Sequence, residues 1–229
     1  MTQFDYFLFD YDGTLCDTQN TISHAMEATF REYKLDVPGE QVRLQAIGSG
    51  MTIHDALISM HPEGENLSTE SVEAMVKSYR SIYGDIDIQY TVLFEGAAAL
   101  LESLKAQGKT IVVLSNKGFQ TVANSLKFFG LDQYADLVIA DGSLTALAMK
   151  MKPNPASYVS VIKEQFHIQD DGKVLMTGDT YSDLLFAKNC GIKSCWASYG
   201  YGDKELCMSL NPDYVVSDLK EMFSALSYD

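Results

Sequence analysis

The short apolar run Tyr6-Phe7-Leu8-Phe9 ends in Asp10-Tyr11-Asp12 and passes at once into Gly13-Thr14-Leu15. Aromatic and aliphatic residues in succession read as a buried strand, where two charges are costly unless something compensates them. At the carboxyl end of a buried parallel strand, however, a carboxylate faces the crevice in which open α/β sheets bind ligands. A glycine there lets the backbone come close to what is bound. One aspartate then suits a nucleophile and the other its acid/base partner. Taken by itself the segment equally admits a helix cap or a turn, since Asp-Gly is a turn dipeptide and Asp favours N-caps.

Three later segments repeat the design of an apolar strand followed by polar residues suited to phosphate. Thr110-Ile111-Val112-Val113-Leu114 leads into Ser115-Asn116-Lys117-Gly118, and Leu137-Val138-Ile139-Ala140 precedes Lys152-Pro153. Val174-Leu175-Met176-Thr177 leads into Gly178-Asp179-Thr180, with Asp183 shortly after. Four strand ends converging on one crevice would make a site.

Helical patterns separate these strands. Ala97, Leu100, Leu101 and Leu104 share a face ending at Gly108, a helix is expected through Phe128-Phe129, and another near Val159, Ile162 and Phe166. A helix around Leu184 to Cys190 precedes the short strand Ser194-Cys195-Trp196-Ala197. Such alternation predicts an α/β fold, a Rossmann-like, mostly parallel sheet with helices on both faces. Leu15 to Phe94 spans roughly 80 residues, far beyond an ordinary βα connection, and so predicts an inserted structured element. Thr18 is the expected N-cap of its first helix, with Ile22, Met26, Thr29, Phe30 and Tyr33 at helical spacing. Val72, Met75, Val76, Tyr79, Ile82 and Tyr83 recur in the same way, while Pro38-Gly39 and Ile47-Gly48-Ser49-Gly50-Met51 break the insert into shorter helices. The expected organisation is a discontinuous Rossmann-like catalytic core over residues 1–17 and 90–229, with an all-α cap domain at 18–89.

The 229 residues, 46% hydrophobic and 21% charged, suffice for one sizeable core and a smaller module. A formal charge of −14 without any basic run argues against nucleic-acid and anionic-membrane partners. No apolar stretch approaches the roughly 20 residues that span a bilayer, and no cleavable leader is apparent, so a cytoplasmic location is expected. Cys16, Cys190, Cys195 and Cys207 lack paired spacing and read as reduced thiols, and the scattered His24, His54, His61 and His167 lack metal-ligand spacing. Any metal should therefore be held by oxygen. Asp10, Asp12, Asp179 and Asp183 would concentrate negative charge around an anionic substrate unless a cation sat among them, and hard carboxylate ligands favour Mg²⁺.

Phe9-Asp10-Tyr11-Asp12-Gly13-Thr14-Leu15, Leu114-Ser115-Asn116-Lys117, Lys152-Pro153 and Gly178-Asp179-Thr180 with Asp183 resemble, in order, the four motifs of the haloacid dehalogenase-like phosphohydrolases. The resemblance covers nearly the whole chain. The Ser-Asn-Lys and Lys-Pro forms, with Ser198-Tyr199-Gly200-Tyr201-Gly202, are similar to its phosphoglycolate phosphatase-like branch. It implies a Mg²⁺-dependent phosphatase that hydrolyses a small phosphorylated metabolite through an aspartyl phosphate. By resemblance Asp10 is the nucleophile and Asp12 the acid/base. Asp10 and Asp179 supply carboxylates to the metal, Asp12 its backbone carbonyl, and Asp183 a ligand or an indirect contact. Ser115 and donors around Asn116 would hold the phosphoryl oxygens beside Gly13 and Thr14, and Lys152 would offset charge next to Asp10.

Other assignments stay open on the residues alone. Lys117 either steers substrate or decorates a surface turn. Arg43, Gly48, Ser49 and Gly50 are selectivity candidates by family position, and equally a surface arginine and a helix-breaking turn. A β-phosphoglucomutase-like transfer, or nucleotidase or pyrophosphatase activity, would use the same core. A receiver-like phospho-aspartate module shares an acidic cluster, a hydroxyl and a lysine, but would have neither the insert nor Asp12. Physiological substrate and oligomeric state are not legible.

Overall fold

The computed structural model describes residues 3–143 and 150–222. Strand β1 (Tyr6–Phe9) lies inside a six-stranded parallel sheet, between β4 (Thr110–Gly118) and β6 (Val174–Gly178). Tyr6 pairs with Thr110 on one side and with Val174 on the other, so these three strands start level; β1 stops at Phe9, opposite Val113 and Thr177, while β4 runs on to Gly118. The order is completed by β5 (Leu137–Asp141) outside β4, and by β7 (Lys193–Ala197) and β8 (Tyr214–Val216) beyond β6.

Side chains alternate across a strand, and here both faces are covered. Phe7, Phe9, Ile111, Val113 and Leu175 join one core with Leu100, Leu101 and Leu104 of α5 (Ala97–Ala106) and Val122 and Leu126 of α6 (Phe119–Phe128). Leu8, Val112, Leu114, Val174 and Met176 join the other with Tyr158, Ile162 and Phe186. The last belongs to α8 (Tyr181–Cys190). Truncating a fully buried ring such as Phe7 to alanine would cost about 3–5 kcal/mol.

The expected insert is helical. It comprises α1 (Gln19–Glu32), α2 (Glu40–Gly48), α3 (Ile53–Met60) and the long α4 (Thr69–Tyr90). Met26, Ile47, Ala56, Tyr79 and Tyr83 form one of its apolar clusters, and Phe30, Leu57, Val72, Met75 and Val76 another. Thr52 and Ser68 cap their helices by accepting from the backbone N–H groups of Asp55 and Ser71. Thr18 occupies the N-cap position of α1 as expected, but its hydroxyl is given to Asp12 instead of the helix.

Three features lie outside the sequence expectation. The chain segments entering and leaving the insert pair antiparallel, β2 (Cys16–Asp17) with β3 (Val92–Leu93), through Cys16↔Leu93 and Asp17↔Val92. The short α9 (Lys204–Ser209) and β8 are too brief for a periodic pattern to reveal. Lys152 is not at a strand end: β5 stops at Asp141, and Lys152 sits in a later turn ahead of the π-helical turn Tyr158–Ile162 and α7 (Lys163–Gln165). Its long stem lets a loop residue deliver a charge to the strand ends. Among the described residues no helix is long and apolar enough to cross a membrane, and all four cysteines are unpaired.

Candidate active site

Just past the ends of β1 and β6, and on β4 where it outruns β1, the structure gathers Asp10, Asp179 and Ser115, joined from α8 by Asp183 and from the loop by Lys152. Carboxylate oxygens of Asp10, Asp179 and Asp183 all lie within 4.8 Å of one another, and all three residues are buried. Lys152 Nζ is 2.5 Å from Asp10 Oδ1 and 2.6 Å from Asp183 Oδ1. Burial works against the Lys152 charge, yet attraction to Asp10 and Asp183 holds its pKa above the usual value. Asp183 is fixed on its other oxygen by the Thr180 N–H and hydroxyl, at 3.0 and 2.7 Å, in the first turn of α8.

Three carboxylates against one ammonium leave an excess of negative charge in a buried space. Burial pushes Asp10 up to about 7, Lys152 pulling down against it and Asp183 and Asp12 pushing up. Burial, then Asp183 and Asp10, holds Asp179 well above the ordinary carboxylate range. Asp179 Oδ1 is buried with no hydrogen-bond partner, while Oδ2 accepts the Tyr201 N–H at 2.7 Å. An orphaned, buried carboxylate oxygen beside two further carboxylates fits a hard cation. Binding one would remove the repulsion that raises these pKa values.

Glycines let this cluster close. At Gly13, with φ +76°, an added Cβ would lie 2.2 Å from Asp179 Oδ2, and at Gly200 and Gly202 it would lie 2.3 Å from Asp179 Cβ and 2.1 Å from its carbonyl oxygen. Gly13 therefore makes room for Asp179; it does not line the cavity as a substrate-binding residue was expected to. Thr14 is likewise buried away from the cavity, its carbonyl accepting from Tyr199 Oη at 2.7 Å.

Asp12 points elsewhere. Its Oδ1 accepts from Thr18 Oγ1 at 2.6 Å and from Lys117 Nζ at 2.7 Å, so its carboxylate lies apart from the acidic cluster. Lys117 is no surface decoration. Its ammonium lies 3.9 Å from the Tyr83 ring centroid on α4, and burial, which would lower its pKa, loses to Asp12. Ser115 is buried on the cavity wall and its Oγ accepts the Lys117 N–H at 3.2 Å, leaving its proton free to donate. Asn116 lines the cavity too, but its amide is committed to the carbonyls of Gly50 at 3.0 Å and Lys152 at 2.9 Å.

The insert residues divide. Gly50, with φ +67°, lies so close to Thr180 that a Cβ would sit 2.4 Å from its Oγ1, and Gly48 approaches the Tyr201 carbonyl to 2.5 Å in the same sense. Ser49 is turned inward, its hydroxyl donating to Ala46 O at 2.6 Å. Arg43 is not brought to the site. Its guanidinium donates to Ser23 Oγ at 3.0 Å and to the Pro38 carbonyl and lies 3.6 Å from Glu27, all within the insert. Sequence reasoning gave Tyr201 no role beyond its place in the Ser198–Gly202 resemblance; its hydroxyl donates to Asp17 Oδ1 at 2.8 Å and accepts the N–H groups of Thr18 and Gln19 at 2.6 and 3.1 Å. Its only signal was the Gly-Tyr-Gly spacing around it.

The model of the haloacid dehalogenase-like hydrolase family matches residues 7–197, which takes in every one of these strand ends. The chain belongs to that family. Curated relatives of similar length include the phosphoglycolate phosphatase of Pasteurella multocida, 28% identical over 99% of this chain and 100% of the relative. Another is the pyrophosphatase PpaX of Halalkalibacterium halodurans, 27% identical over 94% and 93%. A crystal structure of a predicted phosphoglycolate phosphatase from Haemophilus somnus superposes with a TM-score of 0.84, covering 98% of each chain at 24% identity. Within the family, then, this chain has both the sheet and the inserted helices of its structural neighbour. Tyr201 falls just past the matched span.

Proposed function

We propose that this hydrolase is a Mg²⁺-dependent phosphatase acting on a small phosphorylated metabolite through an aspartyl phosphate on Asp10. The observation that carries the reading is the pairing of Asp10, aligned by Lys152, with a second aspartate that is held apart from the acidic cluster and so stays available for proton transfer. The relatives' names and the family's motif order support it.

Asp10, Asp179 and Asp183, with the backbone carbonyl of Asp12, would hold the cation. Bound there, Mg²⁺ supplies charge neutralisation and alignment of nucleophile and phosphoryl group. The chain's own residues do the rest. An Asp10 oxygen attacks phosphorus as the bond to the leaving oxygen breaks, and Asp12 gives that oxygen its proton. Ser115 Oγ and Lys152 Nζ offset the charge on the phosphoryl oxygens. In the second half Asp12 takes a proton from water, which attacks phosphorus, releases inorganic phosphate and restores Asp10. Residues 18–89 act as a cap over the core formed by 1–17 and 90–229, a division supported by the β2–β3 pairing where the chain passes between them. The unpaired thiols support the cytoplasm as its compartment.

The test is chemical trapping. Acid quench during turnover of p-nitrophenyl phosphate, followed by borohydride, should convert one aspartyl phosphate to homoserine at position 10. It should do so only when Mg²⁺ is present. Homoserine at another position, or none under turnover, would overturn the assignment.

A further inference from the structure

The cavity of about 100 Å³ at this site has two unlike walls. The strand ends contribute the polar groups already described. The insert contributes the aliphatic Ile22, Met26, Ile47, Met51 and Ile53, and from α4 the polar-tipped Tyr79, Tyr83 and Arg80. In a substrate whose phosphoryl group faces Asp10, the leaving group would extend between the phosphate and that second wall.

The cations bordering the cavity are all engaged. Lys152 is held between Asp10 and Asp183, Lys117 faces Asp12, and Arg80 is paired with Asp141. Arg43 is tied within the insert by Ser23, Glu27 and Pro38. Residues 144–149 and 223–229 contain no Lys or Arg, so neither could bring a further cationic side chain to the wall. A leaving group carrying its own carboxylate or second phosphate would lose its hydration against aliphatic side chains and would have to draw Arg80 away from Asp141 to gain a counter-charge. An uncharged apolar group would instead gain by leaving water there.

Resting on the phosphatase reading above, we propose that the substrate class is a small phosphomonoester whose leaving alcohol is uncharged and largely apolar, an alkyl or aryl alcohol, in contrast to phosphoglycolate and pyrophosphate. Hydrolysis cleaves the phosphorus–oxygen bond, the alcohol leaves with a proton, and water supplies the oxygen of inorganic phosphate.

The test compares n-butyl phosphate and phenyl phosphate with phosphoglycolate and pyrophosphate on the Mg²⁺-loaded full chain. In parallel, calorimetry measures the binding of n-butylphosphonate and phosphonoacetate, which cannot be hydrolysed. The apolar esters should exceed phosphoglycolate in kcat/KM by about a hundredfold, and n-butylphosphonate should bind more tightly than phosphonoacetate. Met51→Lys, at a partly exposed position on the apolar wall, should shift the butyl-to-glycolate ratio towards phosphoglycolate by about tenfold. Equal or better turnover of phosphoglycolate, or a ratio unmoved by Met51→Lys, overturns the substrate class while leaving the phosphatase reading intact. Tight n-butylphosphonate binding without hydrolysis of any ester overturns the phosphatase reading and keeps the apolar pocket.

Discussion

Lys117 Nζ lies 2.7 Å from Asp12 Oδ1 and, on its other side, 3.9 Å from the centre of the Tyr83 ring, so one ammonium joins the proposed proton donor to the longest helix of the insert. With Thr18 on the same oxygen, Asp12 is aimed by groups at the entry to the insert and at the end of β4. Lys117→Met should fold but leave the carboxylate unaimed. Hydrolysis of an alkyl phosphate, whose leaving oxygen needs a proton, should fall by about 10- to 100-fold more than that of p-nitrophenyl phosphate. Parallel losses for the two esters in rapid-quench kinetics would mean that Lys117 does not act through Asp12.

The seam between insert and core should be sensitive at Gly50. Gly50→Ala must bring a Cβ to 2.4 Å from Thr180 Oγ1 and 3.1 Å from Ser182 Cβ, at a backbone φ of +67° that alanine disfavours. Thr180 holds Asp183, so we expect weaker Mg²⁺ binding together with reduced kcat. Gly84 lies inside α4 with open space where a Cβ would go, and Gly84→Ala should stabilise the chain by about 0.5–1 kcal/mol. Chemical denaturation and Mg²⁺ titration of both variants check the pair.

Arg43→Ala should lower stability without changing substrate preference. Among the described residues its guanidinium bonds to groups of the insert, and losing charged hydrogen bonds of this kind costs about 1–3 kcal/mol. Urea unfolding should register the loss, and kcat/KM over three esters should keep its ranking. A reordered ranking would return Arg43 to the binding site.

The raised pKa of Asp10 makes a pH prediction for the metal-free protein. Folding moves it from an ordinary 3.8 to about 7, so the folded state keeps a proton that the unfolded state gives up. Its contribution to stability is therefore full below about pH 4 and is lost as pH rises through 7. Relative to Asp10→Asn, which has no such proton, wild type should lose stability over that interval by an amount on the order of a few kcal/mol. Asp179 acts in the same direction. Adding Mg²⁺ at pH 8 should recover the loss in wild type, read as a rise in Tm. A wild-type profile parallel to that of Asp10→Asn would count against the cluster as described.

What could be read from the sequence was what adjacent residues encode. A charged pair directly after Phe9, and Ser115 and Asp179 directly after later apolar strands, announce their places because strand and polar end are contiguous. Lys152 was readable as a participant but not in position, since a loop of any shape can carry a long side chain to Asp10. Tyr201 and the glycines at 200 and 202 act on a residue 20 or so positions earlier only after the chain has folded back, and no local pattern encodes that approach. Arg43 failed for the complementary reason: a charge in the insert has many acidic and carbonyl partners nearby, and its neighbours on α1 won. The chemistry of the cavity's second wall, assembled from four helices, was visible as separate apolar stripes whose shared destination periodicity cannot give.

The central placement of β1 also sets the order in which the molecule can be completed during synthesis. Asp10 is made well before its neighbouring strands, which come from residues 110–118 and 174–178, and before residue 201, whose N–H orients Asp179. Parallel pairing over such separations is slow to form, because the loops must close before any contact rewards them. A nascent chain that stops short of residue 201 therefore carries Asp10 without the partners that align and neutralise it, and the buried acidic cluster can close around its lysine only once strands far apart in the chain are present together.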